Sequence, residues 1–222
     1  MSTNTSTTKE TVRKIVDSLY RDEKNLSGFI QRLRPRICPF DALLPLVPHG
    51  SRRVLDIGCG SGLWAGLLIQ TGQASFVHGF DASQKAIGVA QRMRERLPEE
   101  SREQLFFEYR SVMDGLPDES FDVVTMIDVL HHIPSQAQEG AVRDALTRVN
   151  PGGLFLYKGM AQKPLFCAVM NRLHDLASVR EWIHCRPIGD VERFCSDQTS
   201  LEVFGSKRLY WYQHEWRVFR KD

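Results

Sequence analysis

The segment Val54-Leu55-Asp56-Ile57-Gly58-Cys59-Gly60-Ser61-Gly62 constrains this chain more than any other. A short strand pattern runs into three alternating glycines, and an apolar run at helical spacing resumes at Leu63. Glycines in such a turn take up positive φ and let the backbone approach a ligand closely. The helix that follows offers free N–H groups to an anion. A strand, a tight turn and a helix are the opening unit of a parallel α/β sheet.

The chain downstream repeats that alternation. Strands are expected at Arg53–Ile57, Ser75–Phe80, Leu105–Arg110, Phe121–Asp128 and Gly153–Tyr157, with helices beginning near Leu63, Gln84 and Gln136. Two final strand-like runs, Leu201–Tyr212 and Glu215–Arg220, lie too close for a helical crossover and should pair antiparallel. The helix from Ala86 to Leu97 buries Ile87, Ala90 and Met93–Leu97, and its Arg92, Arg94, Glu95 and Arg96 read as a solvated face. Upstream, Val12, Ile15, Val16, Leu19 and Tyr20 form one helical pattern. Leu26, Phe29, Ile30 and Leu33 form a second that ends near Pro35, and Phe40–Val47 a third apolar stretch. Pro35 speaks for a loop around Arg32, Arg34 and Arg36, cations that either meet an acidic substrate or present a solvated face. The Ser/Thr-rich residues 1–8 read as a disordered tail, which leaves 9–222 as a single domain.

The glycine turn alone admits two ligands. Gly60, Gly62 and Ala65 fit the G-x-G-x-x-A form of a dinucleotide fingerprint, and Asp81 lies about 20 residues on, as that fingerprint requires. Asp56 argues against it, because a carboxylate on the strand entering the loop repels a pyrophosphate. S-adenosylmethionine carries an ammonium, a sulfonium and one carboxylate, and suits a glycine turn with an aspartate beside it.

These segments together resemble the class I S-adenosylmethionine-dependent methyltransferases over about residues 40–222. Asp56 to Gly62 looks like the family's first motif, and Phe80-Asp81-Ala82-Ser83 is similar to its second-strand end. Phe121-Asp122-Val123-Val124 through Asp128-Val129-Leu130-His131-His132-Ile133 resembles the fourth strand and its exit, and Val149-Asn150-Pro151-Gly152-Gly153 the turn before the fifth. The resemblance implies a Rossmann-like seven-stranded sheet of order 3-2-1-4-5-7-6 with strand 7 antiparallel, helices on both faces, and N-terminal helices (9–50) over the cofactor end. It implies S-adenosyl-L-methionine as cofactor, S-adenosyl-L-homocysteine as product, and no metal. The cofactor contacts it implies are Asp56, Gly58, Cys59, Gly60, Gly62, Asp81, Ala82, Ser111, Val112 and Asp128, with Asp81 on the ribose hydroxyls. One position departs from the family pattern. Arg110-Ser111-Val112-Met113 stands where many relatives have an acidic residue for the adenine amino group, so Ser111 is the substitute acceptor and Val112 or Met113 packs on the ring.

Methyl transfer needs a base only when the acceptor must lose a proton. His131 and His132, just past the fourth strand, are candidates, against the plain reading that one packs the loop. Cys59 reads as packing rather than a nucleophile, and Trp64 as either core or a shield over the cofactor. The helix Leu165–Ile183 lies in a basic insert (161–190) holding Lys158, Lys163, Arg172, His174, Arg180, His184 and Arg186. It could close on an acidic acceptor with His174 as a third candidate base, meet a carrier protein or lipid surface, or present a solvated face.

Composition excludes the rest. A net charge of +2 is too small to imply nucleic acid, and no apolar run is long enough for a membrane span. Five scattered cysteines without a CxxC pair argue against disulfides and structural zinc, for a reduced, cytoplasmic setting. The expected function is methylation of a small organic acceptor, preferably the oxygen of an aromatic or polyketide-like metabolite. A macromolecular or carrier-bound substrate, for which Tyr210, Trp211, Tyr212, Trp216, Lys207 and Arg208 are candidates, and a non-catalytic cofactor-binding subunit stay open.

Overall fold

In the computed structural model, which describes residues 8–161, 184–210 and 212–222, seven strands form one sheet of order β3-β2-β1-β4-β5-β7-β6. They are β1 Val54–Ile57, β2 Val77–Asp81, β3 Leu105–Tyr109, β4 Phe121–Ile127, β5 Val149–Met160, β6 Thr199–Leu209 and β7 Tyr212–Lys221. The first five run parallel, while β7 pairs antiparallel with both β5 and β6. This is the expected order and sense of the sheet.

Helices cover both faces. On one lie α1 (Lys9–Leu19), α2 (Leu26–Ile37), α3 (Phe40–Leu43), α4 (Leu63–Gln70) and α5 (Gln84–Glu95), burying Val16, Leu43, Leu67, Ala90 and Met93 against Val54, Val77 and Leu156. After a short α6 (Glu99–Glu103), α7 (Gln138–Thr147) and α8 (Ile188–Cys195) cover the other. There Val142, Leu146, Val191 and Phe194 meet Leu55, Ile57, Phe80 and Phe155. Each β-strand sends alternate side chains to opposite faces, so Asp56 shares its face with Val54 and not with Ile57.

Several local expectations are corrected. Thr8 caps α1, its Oγ1 accepting from the Thr11 N–H at 3.2 Å, and so belongs to the helix rather than to a tail; residues 1–7 lie outside the described residues. The helix α2 runs through Pro35. A proline removes one helical hydrogen bond, but the last turn still closes, with the Cys38 N–H on the Arg34 carbonyl at 2.8 Å.

The face of α2 is also inverted. Leu26, Phe29 and Ile30 are exposed, and Gly28 and Gln31 face inward. A Cβ on Gly28 would stand 1.9 Å from the Glu23 carbonyl oxygen, and Gln31 Nε2 donates to Ser61 Oγ at 3.3 Å. Nor are the arginines of α5 a solvated face. Arg92 and Arg96 each reach Glu23 at 2.9 Å, a carboxylate buried between helices, and Arg94 donates to the carbonyls of Arg102 and Leu105. The Arg92 guanidinium, against the cost of burial, holds the Glu23 carboxyl down to about 2. Finally, β5 extends well beyond Gly153–Tyr157 at both ends, after a register irregularity against Phe121 and Val123. The proposed helix Leu165–Ile183, with His174, lies outside the described residues.

Candidate active site

A cavity of about 540 Å³ opens at the carboxyl ends of β1, β2 and β4, where ligands bind in sheets of this kind. Part of its wall is the glycine turn, through Gly58 and Gly60. Gly58, Gly60 and Gly62 all have positive φ, but for different reasons. A Cβ on Gly58 would meet Val129 at 2.4 Å, and one on Gly62 would meet Phe107, Met93 and Ala90 at 2.8–3.1 Å. At Gly60 nothing lies within 4 Å. Gly60 therefore leaves its backbone open to the cavity, while Gly62 lets α4 pack on α5 and β3.

Asp81, at the end of β2, fixes this turn. Its Oδ2 accepts from the Gly60 N–H at 2.9 Å and its Oδ1 from the Ser83 N–H at 2.8 Å. Ser83 in turn caps α5 through the Ala86 N–H. A carboxylate has about four acceptor sites, so two remain for a ligand. From the other side Tyr20 donates to the Ser61 carbonyl at 2.7 Å, which ties α1 to the loop.

Of the ten expected cofactor contacts, Gly58, Gly60, Asp81, Ala82, Ser111, Val112 and Asp128 line the cavity. Asp56, Cys59 and Gly62 do not. Asp56 points into the core beneath the turn, where Thr125 Oγ1 donates to its Oδ1 at 2.9 Å and its Oδ2 has no hydrogen-bond partner among the described residues. Burial, opposed by the Thr125 bond and helped by the nearby Asp81 charge, pushes its carboxyl up to about 7. An aspartate there is a weak source of negative charge for a cationic ligand. Cys59 fills the space beside Gly79, and burial pushes its thiol well above the ordinary range, which suits packing and not nucleophilic attack. Trp64 is core, stacked on Phe40 at 6.0 Å.

The segment after β3, where the sequence departs from the expected acidic residue, is closed on itself. Ser111 and Asp114 form a capping box, with Ser111 Oγ accepting from the Met113 N–H at 3.1 Å. Val112 and the exposed Met113 line the cavity next to it.

At the exit of β4, Asp128 adopts a φ of 57°, a conformation that costs a non-glycine residue about 1–3 kcal/mol. Two ties to Lys158 hold it: its N–H donates to the Lys158 carbonyl at 2.9 Å, and Lys158 Nζ donates to its Oδ1 at 2.6 Å. Lys158 is fully buried, so it is the partner of Asp128 and not a lid cation. Burial opposes charge on Asp128, yet Lys158, His131 and His214 together hold its carboxyl well below the usual carboxylate range.

His131 and His132 sit side by side, with ring centroids 4.2 Å apart. His131 is buried, and burial followed by the neighbouring His132 pushes it down to about 3. His132 is exposed on the cavity wall. The rest of the wall is Arg34 and Ile37 of α2, Cys38 just past its end, Met160 of β5, and Tyr212 and His214 of β7; sequence reasoning singled out Arg34 and Tyr212 but not as walls of this cavity, and missed Ile37, Cys38, Met160 and His214 as site residues. Arg34 makes no ion pair among the described residues. Of the residues considered for a macromolecular surface, Tyr212 and Trp216 are buried and Lys207 pairs with Asp41 at 2.9 Å, while Tyr210 and Arg208 are exposed; Trp211 lies outside the described residues. Among the described residues no group of three or more His, Cys, Asp or Glu gathers as a metal site would, and no helix is long and apolar enough to cross a membrane.

A family model described as a methyltransferase domain matches residues 21–202. The ubiquinone biosynthesis O-methyltransferase of Albidiferax ferrireducens is 32% identical over 121 residues, which cover 54% of this chain and 45% of that protein. The aligned region thus spans less than half of that relative. The enzyme of the same name from Neisseria meningitidis serogroup C is 31% identical over 176 residues, covering 72% of this chain and 68% of that protein. Among solved structures, magnesium protoporphyrin IX methyltransferase from Synechocystis with bound SAH superposes with a TM-score of 0.69 at 21% identity, covering 96% of this chain and 99% of that one.

Proposed function

This chain belongs to the methyltransferase-domain family, and from that membership we propose that it transfers the methyl group of S-adenosyl-L-methionine to an oxygen of a small organic acceptor. The observation that carries this reading is the arrangement of Asp81 and Gly60. A carboxylate tied to two backbone N–H groups, with acceptor sites to spare, stands beside a glycine whose open side faces the cavity. That pairing suits a ribose diol held against a backbone turn.

The residues present fit the cofactor as follows. Asp81 would accept from the ribose hydroxyls, Val112 and Met113 would flank the adenine, and Gly58 and Gly60 would admit the main chain of the methionine portion. Arg34, a cation on the wall without an ion-pair partner among the described residues, would face its carboxylate, and Asp128 would bound its cationic end. When bound, S-adenosylmethionine supplies a methyl group already activated on sulfur. The task left to the protein is alignment at near van der Waals contact and removal of the acceptor's proton. Both histidines of the pair line the cavity, His132 exposed and His131 buried.

An aromatic hydroxyl is the preferred acceptor, because relatives at 31–32% identity are named as O-methyltransferases of ubiquinone biosynthesis. Incubation with methyl-deuterated S-adenosylmethionine and a small-molecule extract, read by mass spectrometry, tests the reading. A deuterated methyl ether that is lost in Asp81→Ala is expected. Label appearing only in the macromolecular fraction would overturn it.

A further inference from the structure

The inner end of the cavity contains one group that cofactor binding does not use. His214 lies on β7 opposite Met160 of β5 and Lys207 of β6, and alternation turns it to the same sheet face as Trp216 and Val218. It is 2% exposed, yet neither ring nitrogen has a hydrogen-bond partner among the described residues. The Ile37 backbone is near enough to favour the charged ring slightly but makes no bond of normal geometry with it. Other described residues carry orphaned buried polar atoms, Gln31, Asp56, Trp64, Gln73 and Arg148, but none of these lines the cavity. His214 does.

A buried polar group without a partner is costly, and such groups in a native structure call for an explanation. A packing role does not supply one, since phenylalanine would fill the same space without two orphaned nitrogens. A ligand does. Tyr212, stacked on the imidazole with centroids 6.0 Å apart, and Met160 add apolar surface around it. Asp128 and Lys158 act on His214 electrostatically, so it lies near the β4 exit that bounds the methyl donor's cationic end. Burial first, then the Lys158 cation, keep the ring neutral, pushed down to about 3, with Lys207 adding to the effect and Asp128 opposing it. A neutral imidazole has one nitrogen that accepts and one that donates.

Resting on the methyl-transfer reading, we propose that His214 is the acceptor-binding residue, its imidazole accepting a hydrogen bond from the hydroxyl that is to be methylated. The subsite takes a neutral hydroxyl on an apolar, preferably aromatic, frame. In the reaction the hydroxyl oxygen forms a bond to the methyl carbon as the carbon–sulfur bond breaks, and sulfur keeps that electron pair. The hydroxyl proton passes to the free imidazole nitrogen. A methylated oxygen that still holds its proton is a strong acid, so a weakly basic ring suffices to take it.

The test uses the full chain, labelled with ¹⁵N in its histidine rings and loaded with S-adenosylhomocysteine, with phenol and then anisole as probes. The His214 resonances are assigned from their loss in His214→Phe, or in His214→Asn should the phenylalanine variant not fold. Phenol is expected to shift the accepting nitrogen of His214, while anisole leaves it in place. In His214→Phe, affinity for S-adenosylhomocysteine should stay within about twofold of wild type, and phenol affinity should fall about tenfold. If phenol leaves the His214 resonances unmoved in protein that binds S-adenosylhomocysteine, the proposal is overturned and the methyl-transfer reading stands. If S-adenosylhomocysteine does not bind the wild-type protein, both fall.

Discussion

Replacing Asp56 with asparagine should stabilise the protein, and by more as the pH rises. In the fold this carboxyl titrates at about 7 against an ordinary 3.8, because it is buried with a single hydrogen bond from Thr125. The native state therefore keeps the proton longer than the unfolded chain does. Stability from this group is complete below about pH 3.8 and drains away as pH rises towards the folded value. A tenfold change in proton affinity corresponds to about 1.4 kcal/mol. About 1.5 kcal/mol is thus lost by pH 5 and roughly 4 kcal/mol by pH 8.5. Asparagine keeps the oxygen that accepts from Thr125 and does not titrate. Urea denaturation of both proteins at the two pH values reads the difference directly. The advantage of Asp56→Asn should grow by on the order of 2–3 kcal/mol between them. A constant gap would show that Asp56 is not a buried, proton-retaining carboxyl, and that the charge assigned to it from sequence is present after all.

Other substitutions separate the parts of the site. Asp81→Ala should weaken S-adenosylhomocysteine binding by roughly 2–4 kcal/mol in calorimetry, since it removes two charged hydrogen bonds to a ligand and loosens Gly60 and Ser83. Unchanged affinity would mean that the ribose lies elsewhere. Lys158→Met leaves Asp128 without its counter-ion and should cost about 3–5 kcal/mol of stability, much of it recovered in the double variant with Asp128→Asn; an equally unstable double variant would contradict the pairing. Gly60→Val should abolish cofactor binding in a folded protein, whereas Gly62→Ala should lower the melting temperature through its contact with Phe107. The reverse pattern would exchange the roles given to these two glycines.

What the sequence made legible follows from what a linear pattern encodes. The alternation of strands and helices could be read because each turn and crossover is written locally, as in the run from Ile57 to Leu63, while the strand order came only from the family resemblance. Asp81 and Gly60 were legible from local pattern too, Asp81 at the end of β2 and Gly60 in the glycine turn after β1. Facing is a different matter. Asp56 and Ile57 are neighbours in the motif but point to opposite sides of the sheet, and only packing reveals that Asp56 faces the core. The apolar stripe of α2 misled because the helix packs on Glu23 through Gly28, where a Cβ would collide with the Glu23 backbone, which leaves Leu26 and Phe29 outside. Arg92 and Arg96 looked solvated because their partner, Glu23, lies about 70 residues away in sequence. The inner wall was out of reach, since Lys158, Met160 and His214 meet only through the register of β5 with β7. One signal did exist: a histidine at a buried position of the alternating pattern Tyr212, His214, Trp216, Val218.

Calorimetric titration with S-adenosylmethionine, S-adenosylhomocysteine and NAD tests the central claim most directly. Both sulfur compounds should bind one per chain and raise the melting temperature, and NAD should do neither. NAD binding to a protein that ignores S-adenosylmethionine would contradict the account, because the same turn of Gly58, Gly60 and Asp81 would then be holding a dinucleotide.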